Sequence, residues 1–206
     1  MEKQALSKQV EEFLQNLEGN RVPPQTEGYE ELAGMEIYEL PLLGISSAQD
    51  PLYQQLQEPQ AVGPQHMLPE QWLAGAQSVI SFFLPFSQAV KRSNSDRAIP
   101  SKEWLYGRVE GQKVVDDVCR FFIKQLEAEG WQAVAPSIDG RFRSKKQSDD
   151  PNFHSFASNW SERHVAYVSG LGTFGLSKGL ITARGVAGRF GSVIYNGPLD
   201  GGYTPI

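Results

Sequence analysis

The chain has one cysteine among 206 residues. Cys119 therefore has no partner for an intramolecular disulfide, and this chain alone cannot supply the several thiolates of a protein-bound iron–sulfur cluster. Its setting, VVDDVCRFFIKQL, predicts a buried, inert thiol. Histidine is also scarce, with three in all. His66, His154 and His164 show no metal-ligand spacing among themselves or with Cys119, so no metal site is predicted. No apolar run is long enough to span a bilayer. The opening MEKQALSKQVEEFL is charged and amphipathic and lacks a signal-peptide core. A cytoplasmic protein with no membrane partner is expected. Positive charge is not in excess either. The net charge of −5 argues against nucleic acid as a partner of the whole surface.

What is present suits one folded domain over 1–206. Hydrophobic residues make up 40% and aromatics 11%, enough for a substantial core. Residues 1–68 read as a helix and an arm, and 69–206 as the core. Leu6, Val10, Phe13, Leu14 and Leu17 fall at helical spacing, with Gly19 as a stop. MEIYELPLLGI reads as a strand broken at Pro41. The Gln- and Pro-rich stretch from Ser46 to Pro69 predicts a long irregular arm packed over the surface. Pro69 opens a short helix that feeds SVISFFLPF, a strand buried on both faces. QAVKRSNSDRAIPSKEWLYGR reads as a polar loop. EGQKVVDDVCRFFIKQLEAEGW is the clearest helix, with Val115, Val118, Phe122 and Leu126 on one face and Gly130 at its C-terminal end. WQAVAP and RFGSVIYN read as strands. Alternating elements predict an α/β domain, a sheet covered by helices.

The stretch SGLGTFGLSKGLIT contains a literal G-x-G-x-x-G at Gly170, Gly172 and Gly175. A dinucleotide loop needs a strand before it, a long helix after it and an acid about twenty residues on. None is found. Asn159 and Glu162 instead have the spacing of a capping box, and Gly170 then stands where that helix ends. Six glycines fall from Gly170 to Gly188. Such density marks positive φ angles or close backbone approach. Glycine spacing alone leaves two readings open, a tight packed connection or a backbone shelf for a flat ligand. His164 on the short helix reads as a packing residue. VSGLG is not a nucleophile elbow, so Ser169 is no hydrolase serine. GRFRSKKQ, 140–147, is a basic patch read first as a solvated loop and second as a phosphate contact. Arg108 with Glu110 could pair, and Arg163, Arg184 and Arg189 could reach acidic ligand groups.

These residues carry a resemblance. ERHVAYVSGLGTFGLSKGLIT followed by GRFGSVI resembles the cobalamin-binding part of epoxyqueuosine reductase and its relatives, the reductive dehalogenases among them. WLAGAQSVISFFLPF and YGRVEGQKVVDDVCRFFIKQLEAEGWQA extend it more loosely, over about Pro69 to Tyr195. The resemblance implies a mixed central sheet flanked by helices, related to nitroreductases and cobalamin-processing proteins. It implies a corrinoid held flat against the glycine segment, with Arg108, Glu162, Gly170, Leu171, Gly172, Thr173, Gly175 and Lys178 as cofactor-binding residues. A low-potential electron donor and a small-molecule substrate are the implied partners.

Two departures stand out. The family continues into a ferredoxin-like module with two four-iron clusters. Such clusters are expected here only if the natural protein extends beyond Ile206. The family also places a carboxylic acid shortly before its equivalent of Glu162. Here that stretch, FHSFASNWS, has no acid, and Asp149 and Asp150 are the nearest. Tyr106 then matches the tyrosine that reductive dehalogenases use as proton donor. The readings left open are a corrinoid-dependent reductase domain, a non-catalytic cofactor-binding or docking module, and a flavin-dependent reductase.

Overall fold

A computed structural model describes residues 3–95, 98–144 and 158–198. Asp149, Asp150, His154 and the last three residues of the basic patch lie outside them.

The sheet is built around two long apolar strands. β2 (Ser78–Pro85) is buried at every position, as its unbroken run of large side chains requires. β6 (Gly188–Tyr195) pairs with it antiparallel along its whole length. β1 (Leu42–Ser47) lies on the other side of β2, and the short β3 (Ala133–Val134) lies beside β6. The order is β1-β2-β6-β3. All three ladders are antiparallel, a narrower arrangement than the mixed sheet the resemblance implies. The predicted α/β class, a sheet flanked by helices, is what forms.

Alternation assigns each residue to a face. Ile80, Phe82, Leu84 and Val193 face α6 (Gln112–Ala128) and α1 (Lys3–Asn16), in one core with Val118, Cys119, Phe122, Val10 and Leu14. Val79 and Ile194 face the other layer, with Trp160, Val165 and Val168. That layer centres on α7 (Glu162–Val168). Cys119 is buried as expected, and burial pushes its thiol pKa up.

Three expectations need correction. The stretch 88–108, read as a polar loop, is helical over 88–93 and 102–108. Ser87 caps α4 (Gln88–Ser93) and Ser101 caps α5 (Lys102–Val109), each hydroxyl accepting an N–H of the first turn. Sequence polarity there hid two capped surface helices. The arm does not lie over the surface either. Tyr53 of α2 (Pro51–Gln55), Leu56, Val62 and His66 are buried, and the Met67 N–H donates to the Asn159 carbonyl at 2.9 Å. Asn159 is not the cap of α7. Its side chain accepts from the Arg143 N–H and donates to the Arg141 carbonyl, while Ser161 holds the cap position. As predicted, Pro69 opens a short helix, α3 (Pro69–Trp72).

Small residues decide how closely α7 approaches. Gly44, Ser81 and Ser192 are in register across β1, β2 and β6. A Cβ at Gly44 would collide with the Ser169 carbonyl at the end of α7. The helix then stops in a Schellman motif. Gly170 has φ +73°, its N–H bonds the Tyr167 carbonyl, and the Leu171 N–H bonds the Ala166 carbonyl, each at 2.9 Å.

Two substitutions separate these roles. Gly170→Ala meets no neighbour but is strained at positive φ, so it should lower stability by about 1 kcal/mol. Gly44→Ala must displace α7 and should lower it by about 2 kcal/mol or more. Urea unfolding of both variants checks this. Equal effects, or a neutral Gly44→Ala, would contradict the close seating.

Candidate functional site

The Schellman turn launches a hairpin of β4 (Gly172–Phe174) and β5 (Leu180–Thr182). These two strands form a separate ribbon outside the central sheet. The literal G-x-G-x-x-G is therefore no dinucleotide loop. Gly170 follows a helix, and Gly175 enters a turn in which its N–H bonds the Gly179 carbonyl and Lys178 has φ +59°.

The hairpin brings most of the predicted cofactor residues together. Leu171 is its anchor, packed with Phe83, Ala166 and Leu180. Thr173 and Lys178 are exposed. So are Phe174, Leu176 and Ile181 of the hairpin and Val186 just beyond β5, with Phe174 and Ile181 on opposite faces of the ribbon. Phe174 leans on His164 and Tyr167 of α7, with ring centres 4.8 and 5.6 Å apart. His164 packs as expected, its Nδ1 2.7 Å from the Ser161 hydroxyl. Two ties hold the hairpin to the body. Arg163 donates to the Lys178 carbonyl at 2.9 Å, and Arg184 reaches Glu39 at 2.5 Å. Glu39 also accepts from Lys91. Arg189 instead donates to Gln112.

Gly172 has a different job from the one its spacing implied. A Cβ there would collide with the Ile181 carbonyl across the ribbon. Its close approach is to the hairpin's own backbone, so a valine would break the ribbon as well as alter any ligand face.

Glu162 is placed inside the fold, not on the hairpin. Its Oε2 accepts from the Ser192 hydroxyl at 2.7 Å, and that oxygen accepts from the Trp160 indole N–H at 2.9 Å. Its Oε1 is enclosed with no hydrogen-bond partner among the described residues. Burial raises its pKa from 4.5 to about 7, against the opposing pull of the Ser192 and Trp160 hydrogen bonds. The acid thus holds a proton close to neutrality. At the other end of α7 a second hydroxyl group forms, with Ser46 Oγ 2.9 Å from the Tyr53 hydroxyl and 3.1 Å from Ser169 Oγ. His66 stacks on Trp160 at 5.3 Å, and burial lowers its pKa to about 4, so it is neutral.

Tyr106 and Arg108 do not join this group. Both lie on α5. Tyr106 is buried against Tyr29, with ring centres 5.1 Å apart, and burial raises its pKa. Arg108 is exposed. Arg108 and Glu110 flank the end of α5 two positions apart, a spacing that turns their side chains to different sides. In the basic patch, Arg141 pairs with Asp139 at 2.8 Å and lies over the Trp72 ring. Among the described residues no group of three or more His, Cys, Asp or Glu could hold a metal ion. No described helix is long and apolar enough to cross a membrane.

Sequence reasoning missed Ser192, Ser81, Trp160 and His66. A faint signal existed: Ser81 and Ser192 are lone hydroxyls within apolar strands, where a polar side chain asks for a partner.

The fold defined here is that of the epoxyqueuosine reductases. A structure of epoxyqueuosine reductase with an epoxyqueuosine-modified tRNA-Tyr stem loop matches 98% of this chain and 48% of its own, with TM-score 0.53 and 14% identity. The enzyme from Streptococcus thermophilus matches 100% of this chain and 49% of its own, again with TM-score 0.53 and 14% identity. The chain thus spans about half the length of these structures. No family model and no curated protein sequence matches it.

The buried acid has a sign that can be tested. A carboxyl raised from 4.5 to about 7 contributes stability below pH 4.5 that is lost as pH rises toward 7. Glu162→Gln removes this titration. Its stability relative to wild type should therefore rise by about 3 kcal/mol between pH 4.5 and pH 8. Parallel pH profiles for the two proteins, from chemical unfolding, would mean that Glu162 is ionised in the fold.

Proposed function

We propose that this chain is the cofactor-holding reductase domain of an epoxyqueuosine reductase-like protein, with a corrinoid lying against the α7–hairpin face. The observation that carries this reading is the hairpin itself, seen together with a fold likeness that covers the whole chain. The ribbon exposes Leu176 at its turn and, on its two faces, part of Phe174 and of Ile181, with Val186 following β5, and the space beyond Gly170 and Gly185 is open. Apolar side chains exposed this close together ask for something to cover them. A ribbon with no neighbouring strand also leaves outer N–H and C=O groups free. A broad, flat ligand rimmed with amides fits both features.

In this reading Phe174 and Leu176 supply the apolar contact, and Thr173, Gly175 and Lys178 the polar edge. Leu171 and Gly172 hold the ribbon's shape, and Gly170 fixes where it leaves the helix. Glu162 acts from beneath by seating α7. When bound, the corrinoid supplies the reducing chemistry, and a low-potential electron donor must recharge it. The exposed apolar side chains on the ligand side exclude water there. Tyr106 is the proton donor that the resemblance names. Its described partners, Tyr29, Thr26 and Glu110, belong to neither α7 nor the hairpin, so the reading does not rest on it.

One observation bears on the substrate. From Arg163 to Pro198 the chain carries Arg163, Lys178, Arg184 and Arg189 and no Asp or Glu. Arg184 is paired with Glu39 and Arg189 turns to Gln112 of α6, so Arg163 and Lys178 are the cations that give the hairpin face its basic character. The structural neighbour was solved with a tRNA stem loop. We infer that the net charge does not exclude an RNA substrate, and that this face is where its phosphates would be met.

Titration with cobalamin tests the reading. Binding should appear as an absorbance change when the axial base leaves cobalt. Leu176→Ser, at a fully exposed position, should weaken binding severalfold with little change in unfolding midpoint. NAD and NADP should show no saturable binding. No spectral change and no calorimetric heat at high cobalamin would defeat the proposal.

A further inference from the structure

Beneath α7, on either side of one serine, two polar atoms have no partner among the described residues. Ser81 and Ser192 face each other in the β2–β6 ladder, so their side chains point to the same side of the sheet. That side carries Trp160 and Glu162, because Ser192 Oγ accepts from one and donates to the other. Ser192 thus spends its only proton on Glu162 Oε2. Ser81 is fully buried, and its Oγ has no hydrogen-bond partner among the described residues. Glu162 Oε1 is enclosed and likewise unpartnered. In register with both serines stands Gly44, which has no side chain to fill the row.

We propose that Ser81 Oγ and Glu162 Oε1 bind a shared internal water between α7 and the sheet. Buried polar atoms without a partner are costly, and internal waters characteristically satisfy two to four of them. A protonated Glu162 can donate to the water and Ser81 can donate or accept, so the hydrogen bonds can all be made. The small row Gly44–Ser81–Ser192 supplies room that larger side chains would take. No larger ligand is implied, since Trp160, Val165, Ala166 and Val168 close the layer above. The water is then part of the seat of α7. It does not depend on what the hairpin binds.

Ser81→Ala discriminates by sign. If the hydroxyl is satisfied by water, its loss should lower the folding equilibrium constant about fivefold to tenfold, and the carboxylic C=O stretch of Glu162 should shift to higher frequency. If the hydroxyl is dry and orphaned, its removal leaves stability unchanged or raises it, which would overturn the proposal. A crystal structure gives the direct reading. Solvent density within hydrogen-bond distance of both atoms is expected. Its absence, or a direct Ser81–Glu162 bond, would overturn the site whatever the stability shows.

Discussion

The close seating of α7 on a row of small residues is the constraint on which the hairpin, the proposed ligand face, depends. Gly44 lets the Ser169 carbonyl approach β1. Ser192 meets the Glu162 carboxyl at the helix start. Ser169 near the helix end shares the Ser46 and Tyr53 hydroxyl group. A seven-residue helix has little stability of its own. Its position is fixed by these polar contacts and by Val165 and Val168 packed on the sheet. The Schellman turn then converts that position into the direction of the hairpin.

Burial explains why the polar contacts are protonated and hydroxyl-based. An ionised carboxylate in this layer would need a cation, and the described residues around it supply none in contact. A neutral acid beside serines needs only hydrogen bonds. The same logic keeps His66 neutral against Trp160. The two groups oppose each other with pH. Burial of Glu162 favours acid, while burial of His66 favours pH above its ordinary 6.5.

Strong periodic signals were legible in the sequence. The run SVISFFLPF gave β2, the valine and phenylalanine face gave α6, and Gly170 was read correctly as a helix end. Each rests on local pattern. Where long-range pairing decides, the sequence was mute. The antiparallel order could not be read, because it depends on which strands meet. Polarity misled at α4 and α5, whose surfaces face water and whose caps, Ser87 and Ser101, are common loop residues too. Gly172 looked like a ligand contact because spacing cannot show that Ile181 returns beside it. The hairpin residues were found through resemblance, whereas Ser81 and Ser192 acquire meaning only when the ladder sets them opposite each other.

Hydrogen exchange on the Gly44→Ala protein tests the central claim, that the seat of α7 orders the hairpin. Amides of 162–168 and of 172–182 should lose protection together, while those of α6 keep it. Loosened α7 amides with an unchanged hairpin would show that the ligand face is held by its own ties, Arg184 to Glu39 and Arg163 to Lys178, and would contradict the account.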